Sequence, residues 1–235
     1  MGEPESSGTD MRVVAVDDER SPLAHAAFEL IHEAMWDVQP TSDLLSELEE
    51  KRLGLPSGGD YHLLVFQEPD GSVAATASGV YLEGVNVGFI TYLAVREDVR
   101  GLRLGRELRD HLVEAFREEA RRRTGGELAW TVGEVRRENR WLRTLVHEGR
   151  AVPFDLGYFH PWMRRRSEGA YVLYREGAAV ASPELPTQEV ARLLYAIWRR
   201  AYRIRYPLQH DTFCYMLRQL EGRDTVGIHP DFAEG

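Results

Sequence analysis

The sequence predicts an α/β fold: one domain over residues 11–176, then a C-terminal helical extension over residues 182–222. Three observations predict it. The apolar spacing changes from that of a strand in Phe89–Val95 to that of a helix from Leu104, with Leu104, Leu108, Leu112, Ala115 and Phe116 on one face. Two apolar runs, Tyr61–Phe66 and Ser72–Leu82, are joined by Glu68-Pro69-Asp70-Gly71, residue types that suit a tight turn. Beyond Pro186, Val190, Leu193, Leu194, Ile197 and Ala201 form one helical stripe, and Phe213, Met216, Leu217 and Leu220 form another after Pro207.

In chain order, Met1–Asp10 is acidic and small and reads as a disordered start, and Met11–Val16 alternates as a first strand. Pro22–Val38 carries Leu23, Ala27, Leu30, Ile31 and Ala34 at helical spacing, and a second helix covers Ser42–Leu53. The hairpin follows, then a strand over Val85–Val95 and a long helix over Leu104–Arg123 that Gly125-Gly126 ends. Glu127–Val135 returns as a strand, Asn139–Glu148 as a short helix, and Ala151–Phe159 and Ala170–Arg175 as two further strands. The two terminal stripes are expected to pack on the domain or on a sister subunit, which leaves a homodimer open. The rival is a partner-binding tail with Trp198, Tyr202 and Arg205 exposed.

Composition narrows the function classes. With 43 % hydrophobic residues in 235, the chain can bury an ordinary core, and no apolar run reaches the roughly 18–20 residues that span a bilayer. No membrane association is expected, although Met1-Gly2-Glu3-Pro4-Glu5-Ser6 fits the loose N-myristoylation pattern, because the carboxylates there oppose an anionic surface. The single cysteine, Cys214, excludes an internal disulfide and a cysteine zinc site and suits a cytoplasmic location; the histidine spacing proposes no metal. A net charge of −9 argues against a nucleic-acid partner and steers towards a cationic substrate such as an amine. Arg121–Arg123 and Arg164–Arg166 then read as a solvated helix end and a hairpin loop. Lys51 is the sole lysine among 29 basic residues, a bias of GC-rich bacterial coding.

The junction between the apolar strand and the long helix is the first candidate site. A helix start leaves four backbone N–H groups without intrahelical partners and carries about half a positive charge, so an anion is stabilised there. Arg100, Arg103 and Arg106 crowd that end, which points to a polyphosphate ligand; the plainer reading is a solvated basic rim. A dinucleotide site of the Rossmann type would need Gly-x-Gly-x-x-Gly after the first strand, and the sequence has none.

Arg100-Gly101-Leu102-Arg103-Leu104-Gly105 resembles the Gln/Arg-x-x-Gly-x-Gly/Ala signature of the GNAT superfamily of N-acetyltransferases. Arg103 stands where that signature has its middle glycine. The element order from Met11 to Arg175 also resembles that of the family. The resemblance implies a mixed, mostly antiparallel sheet and acetyl-coenzyme A as cosubstrate. It further implies that Arg100, Gly101, Leu102, Arg103, Leu104, Gly105 and Arg106 bind the pyrophosphate, and that the backbone of Leu93, Ala94 and Val95 meets the pantetheine arm. Glu134-Val135-Arg136-Arg137-Glu138-Asn139 resembles the Glu-Val-Arg-x-x-Asn of the branch that acetylates protein N-termini. Glu134 is thereby implied as general base and Asn139 as a cofactor contact. Competing roles are a strand-end ion pair for Glu134 and a helix N-cap for Asn139.

The family's tyrosine acid, seven residues after that asparagine, is replaced by Val146, with His147 beside it but about 100° around the helix. Tyr158, near His160 on the expected following strand, is the substitute candidate, against an ordinary packing role. Tyr92 and Glu83 are weaker candidates for lining an acceptor pocket. No Gly-x-Ser-x-Gly elbow supports a serine nucleophile, so direct transfer in a ternary complex is expected, with a small molecule or peptide amine as acceptor. The alternative from another class is a catalytically weak acyl-coenzyme A-binding module that acts on a partner through its tail.

Overall fold

A computed structural model describes residues 11–55, 60–161, 171–177 and 182–233. The expectations for Met1–Asp10 and for Arg164–Arg166 lie outside those residues. Seven strands form one sheet in the order β1-β2-β3-β4-β5-β7-β6: β1 (Arg12–Ala15), β2 (Tyr61–Gln67), β3 (Val73–Leu82), β4 (Val87–Val95), β5 (Trp130–Arg136), β6 (Ala151–Pro153) and β7 (Tyr171–Glu176). The β1–β2, β5–β7 and β6–β7 ladders are antiparallel and β4–β5 is parallel. The sequence order of strands and helices through β7 follows the expected one.

Contacts divide the chain into two units, Met1–Ser78 with Tyr92–Leu112, and Gly79–Thr91 with Val113–Gly235. In the first unit, α1 (Pro22–Ala34) begins at Ser21, whose hydroxyl accepts the Leu23 N–H at 3.3 Å, with Pro22 pre-set for the first turn. Its buried stripe is Ala24, Ala27, Phe28, Leu30 and Ile31. Helix α2 (Thr41–Arg52) buries Leu44 and Leu48. The β2–β3 turn closes as its residue types require: the Gly71 N–H donates to Glu68 O at 2.9 Å, and Gly71 takes φ +92°.

In the second unit, Phe116 on α3 (Leu104–Thr124) lies flush against β4, where a Cβ on Gly88 would come within 2.2 Å of its ring. Helix α4 (Arg140–His147) packs Leu142 and Leu145 on Ala151, Val172, Tyr174 and Phe232. Two short strands, β8 (Leu185–Pro186) and β9 (Thr225–Val226), pair antiparallel and bracket α5 (Thr187–Ala196), a π-helical turn (Ile197–Ala201) and α6 (Asp211–Arg218). Regular structure continues past residue 222 through a 3-10 turn at Pro230–Phe232. Among the described residues, no helix is long and apolar enough to cross a membrane.

One expectation is corrected, and one rival reading loses its support. The strand expected over Ala151–Phe159 ends at Pro153, and Phe154 and Tyr158 make only single bridges, to Ile228 and Tyr171. Its backbone groups go to the extension instead: Asp155 N–H donates to Gly227 O, and both backbone groups of Gly157 bond the Gln219 side chain, at 2.9 and 3.0 Å. Trp198 and Tyr202, expected at the surface if the extension were a docking tail, are 0 % and 5 % exposed. Trp198 packs on Phe213 and His210, Tyr202 on Phe89 and His160. Only Arg205 of that trio is exposed.

Candidate active site

The turn after β4 is assembled from contiguous residues. The parallel β4–β5 ladder ends at Ile90–Gly133, so Leu93, Ala94 and Val95 continue past the last β5 pair. Arg96 then anchors the chain: its N–H donates to Ala74 O at 2.9 Å, and its guanidinium pairs with Glu68 at 2.6 Å and with Asp98 at 2.7 Å. Those pairs hold the Glu68 and Asp98 carboxyls below the usual range. A 3-10 turn, Glu97–Val99, leads to Arg100, whose Nε reaches Val95 O at 3.5 Å.

Gly101 takes φ +95° and Arg103 φ +64°. The arginine in the signature's glycine place therefore adopts the left-handed backbone that a glycine would take without steric penalty, at a cost of about 1 kcal/mol. The first bonds of α3 run from Arg106 and Glu107 to Arg103 O. Among the described residues, the N–H groups of Arg103, Leu104 and Gly105 have no backbone acceptor, and neither Arg103 nor Arg106 joins an ion pair. Gly105 sits 3.2 Å, measured from an added Cβ, from Val95 Cγ2, so its lack of a side chain lets the helix start close to the strand end. Open amides, a helix dipole and three exposed or half-exposed cations are the chemistry a diphosphate requires.

Tyr92, considered as pocket lining, instead uses its buried hydroxyl to accept the Gln39 N–H at 3.1 Å. Glu83, the other candidate, forms an exposed ion pair with Arg123 at 2.8 Å in the second unit.

A different kind of site occupies the second unit. Glu134 lies on β5 opposite Leu173, half-buried. The hydroxyl of Tyr202, just after the π-helical turn, donates to its Oε1. Tyr158 is fully buried, and its pKa is pushed well above the ordinary tyrosine value first by burial and then by the charge of Glu134. The His160 ring meets Tyr202 edge-on at 4.6 Å; burial lowers its pKa to about 4, so it is neutral at pH 7. Two phenols, one carboxylate and a neutral imidazole thus gather from three chain segments.

Asn139 caps α4: its side chain accepts the Leu142 N–H at 3.1 Å, which is the helix-capping role considered from sequence. Val146 packs against the apolar cluster of α4, β6 and β7, so the place of the family's tyrosine serves the core.

A sequence model of the acetyltransferase (GNAT) family matches residues 25–140, which include the turn, Glu134 and Asn139. Residues 25–140 belong to the GNAT family. No curated protein matches it significantly. Among solved structures, a protein assigned to the GNAT family from Desulfovibrio desulfuricans is similar over 72 % of this chain and 100 % of its own, with 17 % identity and a TM-score of 0.52. The ribosomal-protein-S18-alanine N-acetyltransferase of Escherichia coli is similar over 70 % of this chain and 93 % of its own, with 15 % identity and a TM-score of 0.50. At such identities they speak for the GNAT fold.

The family match ends before Tyr202, the residue that sequence reasoning missed. The stripe read from sequence ends at Ala201, and Tyr202 entered only as an exposed residue of the docking-tail alternative. The one local hint was that a tyrosine follows directly after the stripe's last member, Ala201.

Proposed function

We propose that this GNAT protein transfers the acetyl group of acetyl-coenzyme A directly to a primary amine of a small molecule or peptide. The observation that carries this reading is the turn Leu93–Arg106, with its open amides and its arginines at the start of α3 in a chain of this family. Arg100, Gly101, Leu102, Arg103, Leu104, Gly105 and Arg106 hold the diphosphate, and the strand end Leu93–Val95 offers backbone groups to the pantetheine arm. Asn139 keeps its capping bond and adds a polar contact to the same ligand.

An alkylammonium of pKa about 10.4 has no lone pair, so the acceptor must react as the neutral amine. The amine nitrogen bonds to the acetyl carbonyl carbon, the carbon–sulfur bond breaks, and one proton must pass from nitrogen to sulfur. Glu134 takes the proton from nitrogen, Tyr158 gives its proton to the thiolate, and the proton on Glu134 returns to the Tyr158 oxygen. The raised pKa of Tyr158 keeps its proton in place at neutral pH. Positioning supplies most of the rate.

The test is calorimetry of acetyl-coenzyme A binding together with thiol release across a panel of amines. Binding with amine-dependent release supports transfer. Binding without release for any amine replaces it with an acyl-coenzyme A-binding module, a reading that Val146 in the tyrosine's place favours. Absence of binding overturns both.

A further inference from the structure

Tyr202 reaches Glu134 across 68 positions of sequence, and the backbone that delivers it is irregular. The Tyr202 N–H bonds back five residues to Ile197 O at 3.2 Å, which closes the π turn, and the next residue, Arg203, takes φ +54°. A π turn costs helix regularity, and a left-handed arginine costs about another 1 kcal/mol. Such strain persists only where surrounding contacts hold it. Those contacts are the edge of Phe89 at 6.1 Å, His160 at 4.6 Å and the Glu134 carboxylate. Simple burial of an aromatic ring would need neither the π turn nor a hydroxyl aimed at a carboxylate.

We propose that Tyr202 is a positioning residue: its hydroxyl orients the Glu134 carboxylate and favours the ionised form that can accept a proton, so the C-terminal extension is a working part of the reaction. The inference rests on the reading of Glu134 as base. A hydroxyl that donates to a carboxylate stabilises the charged form, so its removal makes Glu134 easier to protonate. Other groups face the same carboxylate. Tyr158 lies against it from the segment after β6, His160 stands behind Tyr202 as a neutral ring, and Tyr171 and Arg175 on β7 sit two pairs to either side of its Leu173 partner. Removing the Tyr202 hydroxyl keeps the ring and its packing; of these groups it changes Tyr158, which loses the Tyr202 contact that holds its pKa down.

The experiment uses the full chain. The Glu134 side-chain carboxyl is titrated by 13C NMR in the wild type, in Tyr202→Phe and in protein with 3-fluorotyrosine placed at 202, whose more acidic hydroxyl is a stronger donor. Tyr202→Phe should raise the Glu134 midpoint by about one pH unit, and fluorination should lower it. The acidic limb of the kcat/KM profile for thiol release should move by the same amounts, so Tyr202→Phe loses about tenfold below the limb and little above it. Phe213→Leu, which loosens the extension's packing on Trp198 without touching the carboxylate, should move neither. A Tyr202→Phe midpoint within about 0.2 unit of wild type overturns the inference. So does an equal shift in Phe213→Leu, which would make the effect one of packing. A shifted NMR midpoint in a protein that releases no thiol overturns the base reading, while the coupling of Tyr202 to Glu134 stands.

Discussion

The turn at Arg100–Arg106 and the cluster around Glu134 solve opposite electrostatic problems. The turn keeps its cations in water: Arg100, Arg103 and Arg106 are exposed. The cluster removes its groups from water: Tyr158 and His160 are 0 % and 3 % exposed, and burial moves their proton affinities in the directions that keep both neutral at pH 7. On the proposed reading, one region grips a charge and the other handles a proton. The sharpest way to break that contrast is Glu134→Gln. Loss of a general base lowers kcat by about 10²- to 10⁴-fold, and acetyl-coenzyme A affinity by calorimetry should stay within about twofold. Equal losses in both would merge the two regions into one binding site.

The cluster should also carry a pH-dependence of folding between pH 7.5 and 5, a window that the turn lacks because its Glu68 and Asp98 carboxyls are held below the usual range. His160 in the folded chain has its pKa lowered from 6.5 to about 4 by burial. The unfolded chain therefore binds the proton more readily between those values, so the stability held by neutral His160 is complete above about pH 6.5 and is lost as pH falls towards 4. The shift corresponds to roughly 3 kcal/mol. Urea unfolding at pH 7.5 and pH 5 should show a larger drop for the wild type than for His160→Phe, which keeps only the smaller contribution of groups such as His229. Equal slopes in the two proteins would mean that the ring is solvated.

The contrast also explains what could be read from sequence. The turn was legible because its parts are neighbours: Arg100, Gly101 and Gly105 fall within six residues, and the change of apolar period marks where the strand hands over to the helix. The capping role of Asn139, weighed from its place at the start of α4, was legible for the same reason. The partner of Glu134 was not, because Tyr202 is brought to it by tertiary packing and by a π turn that no spacing rule encodes. The strand expected through Phe159 failed on similar grounds: the apolar pattern is present, yet Gln219 and Gly227 take the backbone bonds that a strand partner would have used. Local periodicity reports which face is buried, and it does not report which distant segment buries it.

Salt separates the regions at a smaller scale. Arg100→Ala should weaken acetyl-coenzyme A binding by about tenfold at low salt, and the gap should close as salt screens exposed charges. Glu134→Gln should follow the wild-type salt dependence. A salt-independent loss in Arg100→Ala would mean that the arginine serves the fold, through its contact with Val95 O, more than the ligand.

The smallest expected effect tests the irregular position of the turn. Arg103 holds φ +64° and stands at a helix start, where a cation is disfavoured, so two terms of about 0.5–1 kcal/mol each oppose it in the ligand-free protein. Arg103→Gly relieves both, while the greater freedom of glycine in the unfolded chain offsets part of the gain. The expected outcome is a Tm higher by about 2–4 °C. Arg103→Ala removes the charge and keeps the backbone strain, so it should give a smaller rise or none. The comparison of the two separates strain from charge, and calorimetry on both then shows what the arginine returns when ligand binds. A weaker affinity in both variants assigns Arg103 to the ligand. A lower Tm in Arg103→Gly would show instead that the turn depends on the arginine side chain, and that its left-handed backbone is held by contacts rather than tolerated in spite of them.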